Sequence, residues 1–183
     1  MRRRLGWLAL ALVVLVIVAG VVAVVAVRPS VNDARDRVDR AWTPLQAPLD
    51  ARYQDLAEVR AALDAGGQAN RTVTQDLTAA LHQWQQVARA NDPAVQVPIA
   101  NGLEALVARL KVNLVASPRL QSLPPLQAAL DAFNQAVVNP PGVRSFNNAV
   151  DAYQRARTGT VKRLVADTFG YGARPQLELA GGS

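Results

Sequence analysis

The chain has 183 residues, a formal net charge of +6, one histidine and no cysteine, which excludes disulfides, thiolate catalysis and zinc–thiolate sites. The positive balance does not describe a nucleic-acid binder. Four of the cations, Arg2, Arg3, Arg4 and Arg28, flank a single apolar run, and beyond Val31 only 16 Arg and Lys face 14 Asp and Glu, so no basic stripe with interleaved aromatics remains for DNA or RNA.

Residues 5–27 (LGWLALALVVLVIVAGVVAVVAV) carry no charge, and the Trp7 indole is their one strong hydrogen-bonding side chain. As a helix they would extend ~34 Å at ~1.5 Å per residue, enough to cross a hydrocarbon layer of ~30 Å. A lone segment in lipid can satisfy its peptide groups only as a helix, so the many β-branched residues do not argue otherwise. The run is longer than the apolar core of a signal peptide and predicts an uncleaved single-pass anchor. Arg2, Arg3, Arg4, Trp7 and Arg28 are then the interface residues. The three arginines before the run favour a cytoplasmic N-terminus and a bulk outside the cytoplasm, whereas Arg28, Arg35, Arg37 and Arg40 after it argue the other way. The expected partition is a basic N-terminus (1–4), the anchor (5–27), a stalk helix (28–42), a helical bundle (43–175) and a flexible tail (176–183).

After the anchor, the alternating charges from Asp33 to Arg40 predict a solvated helix. Val38, Trp42, Leu45, Leu49, Tyr53, Leu56, Val59 and Leu63 follow at spacings of three and four, an apolar seam for lengthwise packing on other helices. Pro44 and Pro48 predict a kink or restart near residues 43–47, with Thr43 as N-cap and Pro44 at the first helical position. The stretch DAGGQAN, residues 64–70, reads as a loop.

Thr72 and Gln75 are spaced for a capping box ahead of a second seam at Val73, Leu77, Leu81, Trp84 and Val87. His82 lies on that segment, and a lone histidine there reads as a solvated or packed side chain. A third seam, Ile99, Leu103, Leu106, Leu110 and Leu114, follows Pro98. Ser122 is the expected N-cap for a helix bearing Leu126, Leu130, Phe133 and Val137. Asn139-Pro140-Pro141-Gly142 breaks the chain before a helix with Phe146, Val150 and Tyr153. A short helix with Val161, Leu164 and Val165 then precedes a tail expected to fray after Pro175. No segment alternates with period two, so the fold class is all-α: an N-terminal transmembrane helix followed by an elongated antiparallel bundle of about four long helices.

One set of residues points to a family. Arg144-Ser145-Phe146-Asn147-Asn148-Ala149-Val150-Asp151-Ala152-Tyr153, then Phe169-Gly170-Tyr171 and Arg174-Pro175, resembles the C-terminal signature of the LemA family, which runs Arg-x-x-Tyr-Asn-x-x-Val-x-x-Tyr-Asn and then Phe-Gly-Phe or a close variant. The segment from Pro118 through Phe133 is similar to the family's Tyr-Pro-x-Leu stretch and the helix after it, and Arg52-x-x-Asp55-Leu56 to its Arg-x-Asp-Leu stretch with altered spacing. The likeness is specific from about Pro118 to Pro175. Phe146 stands where the family has tyrosine and Gln154 where asparagine is common, so the chain resembles a divergent member. The resemblance implies a bacterial, anchored helical bundle without established enzymatic activity, its short N-terminus outside the cell. That opposes the charge-based orientation and leaves the side of the membrane open.

Arg144, Asn147 and Tyr153 could form a polar cluster, either a partner-binding site or a hydrogen-bonded helix start that holds two helices in register. The latter is the simpler reading. Phe169-Gly170-Tyr171 is expected to fold back onto the bundle end rather than project as an aromatic contact. Ala19-x-x-x-Ala23 beside Gly20 is a small-residue pattern that could pair anchors into a homo-oligomer. Carboxylates such as Asp55 and Glu58 sit beside arginines on helical faces, and no phosphate loop, catalytic triad, metal cluster or cofactor motif is found, so no catalytic, metal or cofactor residues are assigned. The expected role is a non-enzymatic interaction or scaffold module, with the lipid bilayer and an unidentified envelope protein as partners. The alternative is a ligand-sensing bundle that signals through a partner protein.

Overall fold

The computed structural model describes residues 2–68 and 71–179; before Arg28 it describes side chains only at Val14, Leu15, Val25 and Ala26, and those of Thr160, Val161 and Val165 are also outside the description. Among the described residues seven α-helices follow in order: α1 (Arg2–Leu63), α2 (Thr72–Val87), α3 (Pro93–Val115), α4 (Pro118–Gln121), α5 (Pro124–Gln135), α6 (Pro140–Ala156) and α7 (Thr160–Thr168). No strand occurs among the described residues. The class is all-α, and the helices form a bundle around α1, which touches α2, α3, α5, α6 and α7.

The seam along α1 explains that centrality. Val31, Val38, Trp42, Leu45, Leu49, Tyr53, Leu56, Val59 and Leu63 are all buried. Burying each such side chain contributes ~1.5–3 kcal/mol, so the seam far outweighs the ~3 kcal/mol that each interior proline costs. This is why α1 does not restart near residues 43–47. Pro44 and Pro48 deprive the Arg40 and Pro44 carbonyls of helical donors, but Arg40 and Pro44 lie on the exposed face, where water can replace the missing bonds. Thr43 is not an N-cap; its hydroxyl donates back to the Asp39 carbonyl at 3.1 Å, as it does inside a continuing helix.

The charge run is likewise not a free stalk. Val31 and Ala34 are buried in the same core, so the bundle begins at least at Val31 rather than at residue 43. The two later cap expectations also differ. Arg71 and Leu123 occupy the N-cap positions of α2 and α5 without side-chain caps, and the Ser122 hydroxyl donates to the Arg119 carbonyl instead. Pro140 and Pro141 open α6 directly, because a first-turn proline lacks only an N–H that would have no helical acceptor.

Asp64–Gln68 winds as a wide π-type turn with a kink at Gly67, whose φ of 78° suits glycine. On α3 the buried face is Gln96, Val97, Ala100, Leu103, Glu104, Val107, Leu110 and Leu114. Ile99 and Leu106 are only half-buried, so the helix is turned slightly from the expected seam. Val137 lies beyond the end of α5 and is exposed, and Val138 is buried in its stead. Leu164 of α7 is exposed, whereas Ala166 fills the core.

No helix is long and apolar enough, among the described residues, to cross a membrane. The side chains of the expected interface residues Arg2, Arg3, Arg4 and Trp7 lie outside the described ones, as do most of the expected anchor, including Ala19, Gly20 and Ala23. Arg28 is described and exposed.

Candidate partner-binding site

Past α7 the chain leaves helical conformation at Gly170, whose φ of 67° allows the turn, and residues 171–179 run as a strap over α1, α3 and α6. Two asparagines hold it through its backbone. Asn147 on α6 donates to the Leu177 carbonyl at 3.0 Å and accepts from the Leu177 N–H at 2.9 Å. Asn101 on α3 donates to the Gln176 carbonyl at 2.8 Å and accepts from the Glu178 N–H at 2.9 Å. In an extended strand one residue presents both backbone groups to one side and its neighbours present theirs to the other. The two amides therefore grip opposite edges of one extended segment.

Three further residues of α6 continue the row. Gln154 donates to the Arg174 carbonyl at 2.9 Å, the Tyr153 hydroxyl donates to the Gly172 carbonyl at 2.9 Å, and Asp151 accepts from Gln176 at 2.6 Å. Asn147, Asp151 and Gln154 are spaced four and three apart, so one helical face reads the strap. Burial raises the Tyr153 pKa despite the opposing charges of Arg157, Arg174 and Arg35, which keeps the phenol a donor. Within the tail expected to fray after Pro175, Leu177 is buried, peptide groups of Gln176, Leu177 and Glu178 are hydrogen-bonded, and residues 180–183 lie outside the described ones.

Three strap side chains are buried in the bundle, Tyr171 at its root and two further along. Leu177 packs into the core, and Arg174, only 5 % exposed, reaches Asp39 of α1 at 3.3 Å and Asp92 ahead of α3. The two carboxylates respond differently. Burial raises the Asp39 pKa; the charges of Arg174 and Arg35 oppose that, and those of Asp92 and Asp36 reinforce it. Burial also pushes Asp92 upward, but the hydrogen bonds from Arg174 and the Ala94 N–H, with the charges of Arg174 and Arg35, hold its pKa below the usual carboxylate value. Asp92 also caps α3 through that Ala94 bond, so one carboxylate starts a helix and seats the strap arginine.

The root of the strap is tied to α1 by stacked arginines. The Arg28 guanidinium lies 4.6 Å from the centre of the Phe169 ring and that of Arg35 5.9 Å from Tyr171. Phe169 is 40 % exposed and Tyr171 is buried. Of the two aromatics expected to fold back, Tyr171 does so fully and Phe169 lies on the surface under Arg28.

Asn147 and Tyr153 therefore each hold the strap, at Leu177 and Gly172, and Tyr171 lies within it; Arg144 joins neither contact and stays exposed. Val150 is buried between Phe146 and Tyr153 on the core side of α6. The sequence reading missed Asn101, Asp39 and Asp92. Each meets the strap across a long stretch of chain, and although Asp92 precedes Pro93 as a helix cap and Asp39 lies in the charge run, no local pattern marks those distant contacts. Arg174 was noticed only as part of a motif.

A second polar assembly lies within the bundle. Arg52 donates to both Glu104 oxygens, at 2.8 and 3.0 Å, and to the carbonyls of Phe133 and Ala136 at 3.1 Å each, while its guanidinium carbon lies 3.9 Å from the centre of the Phe133 ring. It joins α1, α3 and the C-terminal end of α5. Nearby, the Trp42 indole donates to Gln96 at 2.6 Å, and Gln96 donates to the Val87 and Ala88 carbonyls at the end of α2. Trp84 donates to Asp50 at 2.9 Å and packs edge-on against Tyr53. Burial and the adjacent Glu104 charge push the Tyr53 pKa up, so it too remains a phenol. These groups satisfy one another as buried polar groups must, and the arrangement positions helices. His82 is exposed beside Gln86, and no cluster with metal-ligating spacing occurs among the described residues.

Comparison with known proteins returns no match: no family model, no curated protein and no solved structure is similar to the chain.

Proposed function

We propose that the protein is a single-pass, membrane-anchored helical bundle of the LemA type that works by contact rather than catalysis, as an interaction or scaffold module at the bacterial cell envelope. The observation that carries the reading is the continuity of α1. One helix runs from Arg2 through the uncharged residues 5–27 and on to Leu63 in the bundle core. The expected anchor and the organising rod of the bundle are thus a single element, which would hold the bundle at a set distance and tilt from the bilayer if residues 5–27 lie in lipid. Asn147 and Tyr153 hydrogen-bond the strap that carries Tyr171, which supports the family reading, since the resemblance rests on those positions.

The ligand-sensing alternative finds less support. A small molecule between helices needs polar groups to orient it, and Arg52, Glu104, Gln96 and Asp50 are committed to one another, to the Trp42 and Trp84 indoles or to backbone. Photocrosslinking of the full chain in native membranes, followed by affinity isolation, tests the proposal. Reproducible capture of one envelope protein supports it. Recovery of the mature chain from the soluble fraction, or a metabolite-induced thermal shift without any captured protein, would overturn it. Protease protection in spheroplasts then fixes the side, for which the arginines before residue 5 favour a bundle outside the cytoplasm.

A further inference from the structure

We propose that the seat beneath the strap is a peptide-binding groove, which takes an extended segment of a partner protein carrying an arginine three residues before an aliphatic side chain, and that residues 171–179 occupy it in cis. This deepens the interaction-module reading and rests on it. The seat has the three parts such a groove needs. Asn147 and Asn101 bind backbone N–H and C=O groups on both edges of the strap, contacts that any extended chain can make. Asp39 and Asp92 form an acidic pocket that takes the Arg174 guanidinium. A core pocket takes Leu177, 2 % exposed. The backbone contacts are indifferent to sequence, and the two pockets set the Arg-x-x-Leu spacing.

The charge of the pocket selects a basic ligand residue, and the root of the strap favours a partner over a second copy. Arg28 on Phe169 and Arg35 on Tyr171 hold the strap's beginning to its own α1, so exchange between copies would have to break these stacks as well. A partner peptide needs only the seat of residues 174–178. Because the groove is competent only while the strap is away, the apparent affinity of a partner falls by the fraction of open molecules.

The test uses the full chain in nanodiscs and a fluorescein-labelled synthetic peptide with the sequence of residues 170–179. In one variant, Arg174→Glu with Leu177→Asp, the strap is spoiled and the groove is untouched. The proposal expects this variant to bind the peptide at least tenfold more tightly than the wild-type chain. Binding should be lost when Asn101→Ala and Asn147→Ala are added, and lost for a peptide carrying Arg174→Glu. A variant with an undiminished helical spectrum that does not bind, or that binds a scrambled peptide equally, overturns the proposal. Should the variant not fold, the chain's lack of cysteine permits a second measurement: a nitroxide at Glu178→Cys in the otherwise wild-type chain. Excess unlabelled peptide should produce a mobile spectral component, and an unchanged spectrum overturns the groove. Co-expressed Asp151→Cys and Gln176→Cys chains report on the other occupant, and an intermolecular disulfide in membranes would overturn the partner assignment in favour of strap exchange. Failure of these experiments leaves any partner captured by crosslinking in place. Failure to capture a partner, with peptide binding intact, removes the envelope-scaffold reading alone.

Discussion

Replacing Glu104 by glutamine tests whether the Arg52 assembly holds the bundle together. The carboxylate supplies two of the acceptors around Arg52 and is its ion-pair partner, and the pair is almost wholly buried, with side chains 8 % and 2 % exposed. Two unit charges ~4 Å apart attract by about 4 kcal/mol at an effective dielectric of ~20. Removing one partner of such a pair typically costs about 3–5 kcal/mol, because the other is left buried and uncompensated. The Phe133 and Ala136 carbonyls at the end of α5 still accept from Arg52 and carry helix-terminal negative character, which places Glu104→Gln near the lower figure. For a chain of this size, 3 kcal/mol corresponds to a Tm lower by roughly 6–12 °C. Thermal unfolding followed by circular dichroism in detergent, with urea titration as a check, measures the loss. The paired replacement Arg52→Met with Glu104→Leu removes both charges and should recover most of the lost stability. A Glu104→Gln variant within about 1 kcal/mol of wild type, or a double variant no better than the single, would refute the reasoning.

The two strap carboxylates should separate under the same melts. Folding lowers the Asp92 pKa, so its charge stabilises the fold above the ordinary value of 3.8 and that contribution disappears as pH falls below it; Asp92→Asn therefore destabilises at neutral pH. Folding raises the Asp39 pKa, chiefly by burial, so its ionised form is net disfavoured at neutral pH and the penalty is relieved as pH falls through the folded pKa; Asp39→Asn should leave stability at pH 7 unchanged or improved. A loss for Asp39→Asn equal to that for Asp92→Asn would contradict this assignment. Gly142 packs so closely on α1 that an added Cβ would sit 3.0 Å from Leu45 Cδ2, so Gly142→Ala should cost about 1 kcal/mol by crowding α6 away from α1, while Gly102→Ala, with open space around it, should cost nothing or add stability through helix propensity. Phe133→Ala should cost about 3–5 kcal/mol, since it empties a core position and removes the ring beneath Arg52.

Helix faces with regular apolar spacing were legible from the residues. Phe146, Val150 and Tyr153 recur at four and three, and all three are buried; the α1 seam from Val38 to Leu63 behaves the same way. The continuity of α1 through Pro44 was not, because a local rule about proline says nothing of how much a continuous buried seam contributes on the opposite face. Glu104 and Gln96 escaped notice for a related reason. Eight residues apart, they share with Ala100 a face of α3 that reads as an apolar helix with polar interruptions. Only the position of Arg52 and Trp42, some fifty residues earlier, turns those interruptions into contacts. The strap was the least legible part. Glycines, prolines and polar residues near a chain's end carry the composition of a frayed tail, and their order here comes from Asn101, Asn147, Asp39 and Asp92.

The strap also gives the charge run of α1 a purpose that composition alone does not. Arg28, Arg35 and Asp39 meet Phe169, Tyr171 and Arg174 in turn, so the first stretch of the helix after residue 27 is the wall along which the strap is laid. Arg28 and Asp39 are eleven residues apart, or ~17 Å along the helix at ~1.5 Å per residue. If residues 5–27 lie in the bilayer, the arginine pocket of the groove stands within about that distance of the lipid surface, inside the reach of juxtamembrane segments of neighbouring proteins. A partner would then meet the groove by lateral diffusion with its peptide already near the right height. Inserting seven helical residues between Val27 and Arg28 would lift the seat by ~10 Å with little rotation of the helix. Such an insertion should weaken partner crosslinking in membranes while leaving affinity for the free peptide unchanged. Equal loss of both would mean that the groove's height above the membrane has no part in recognition.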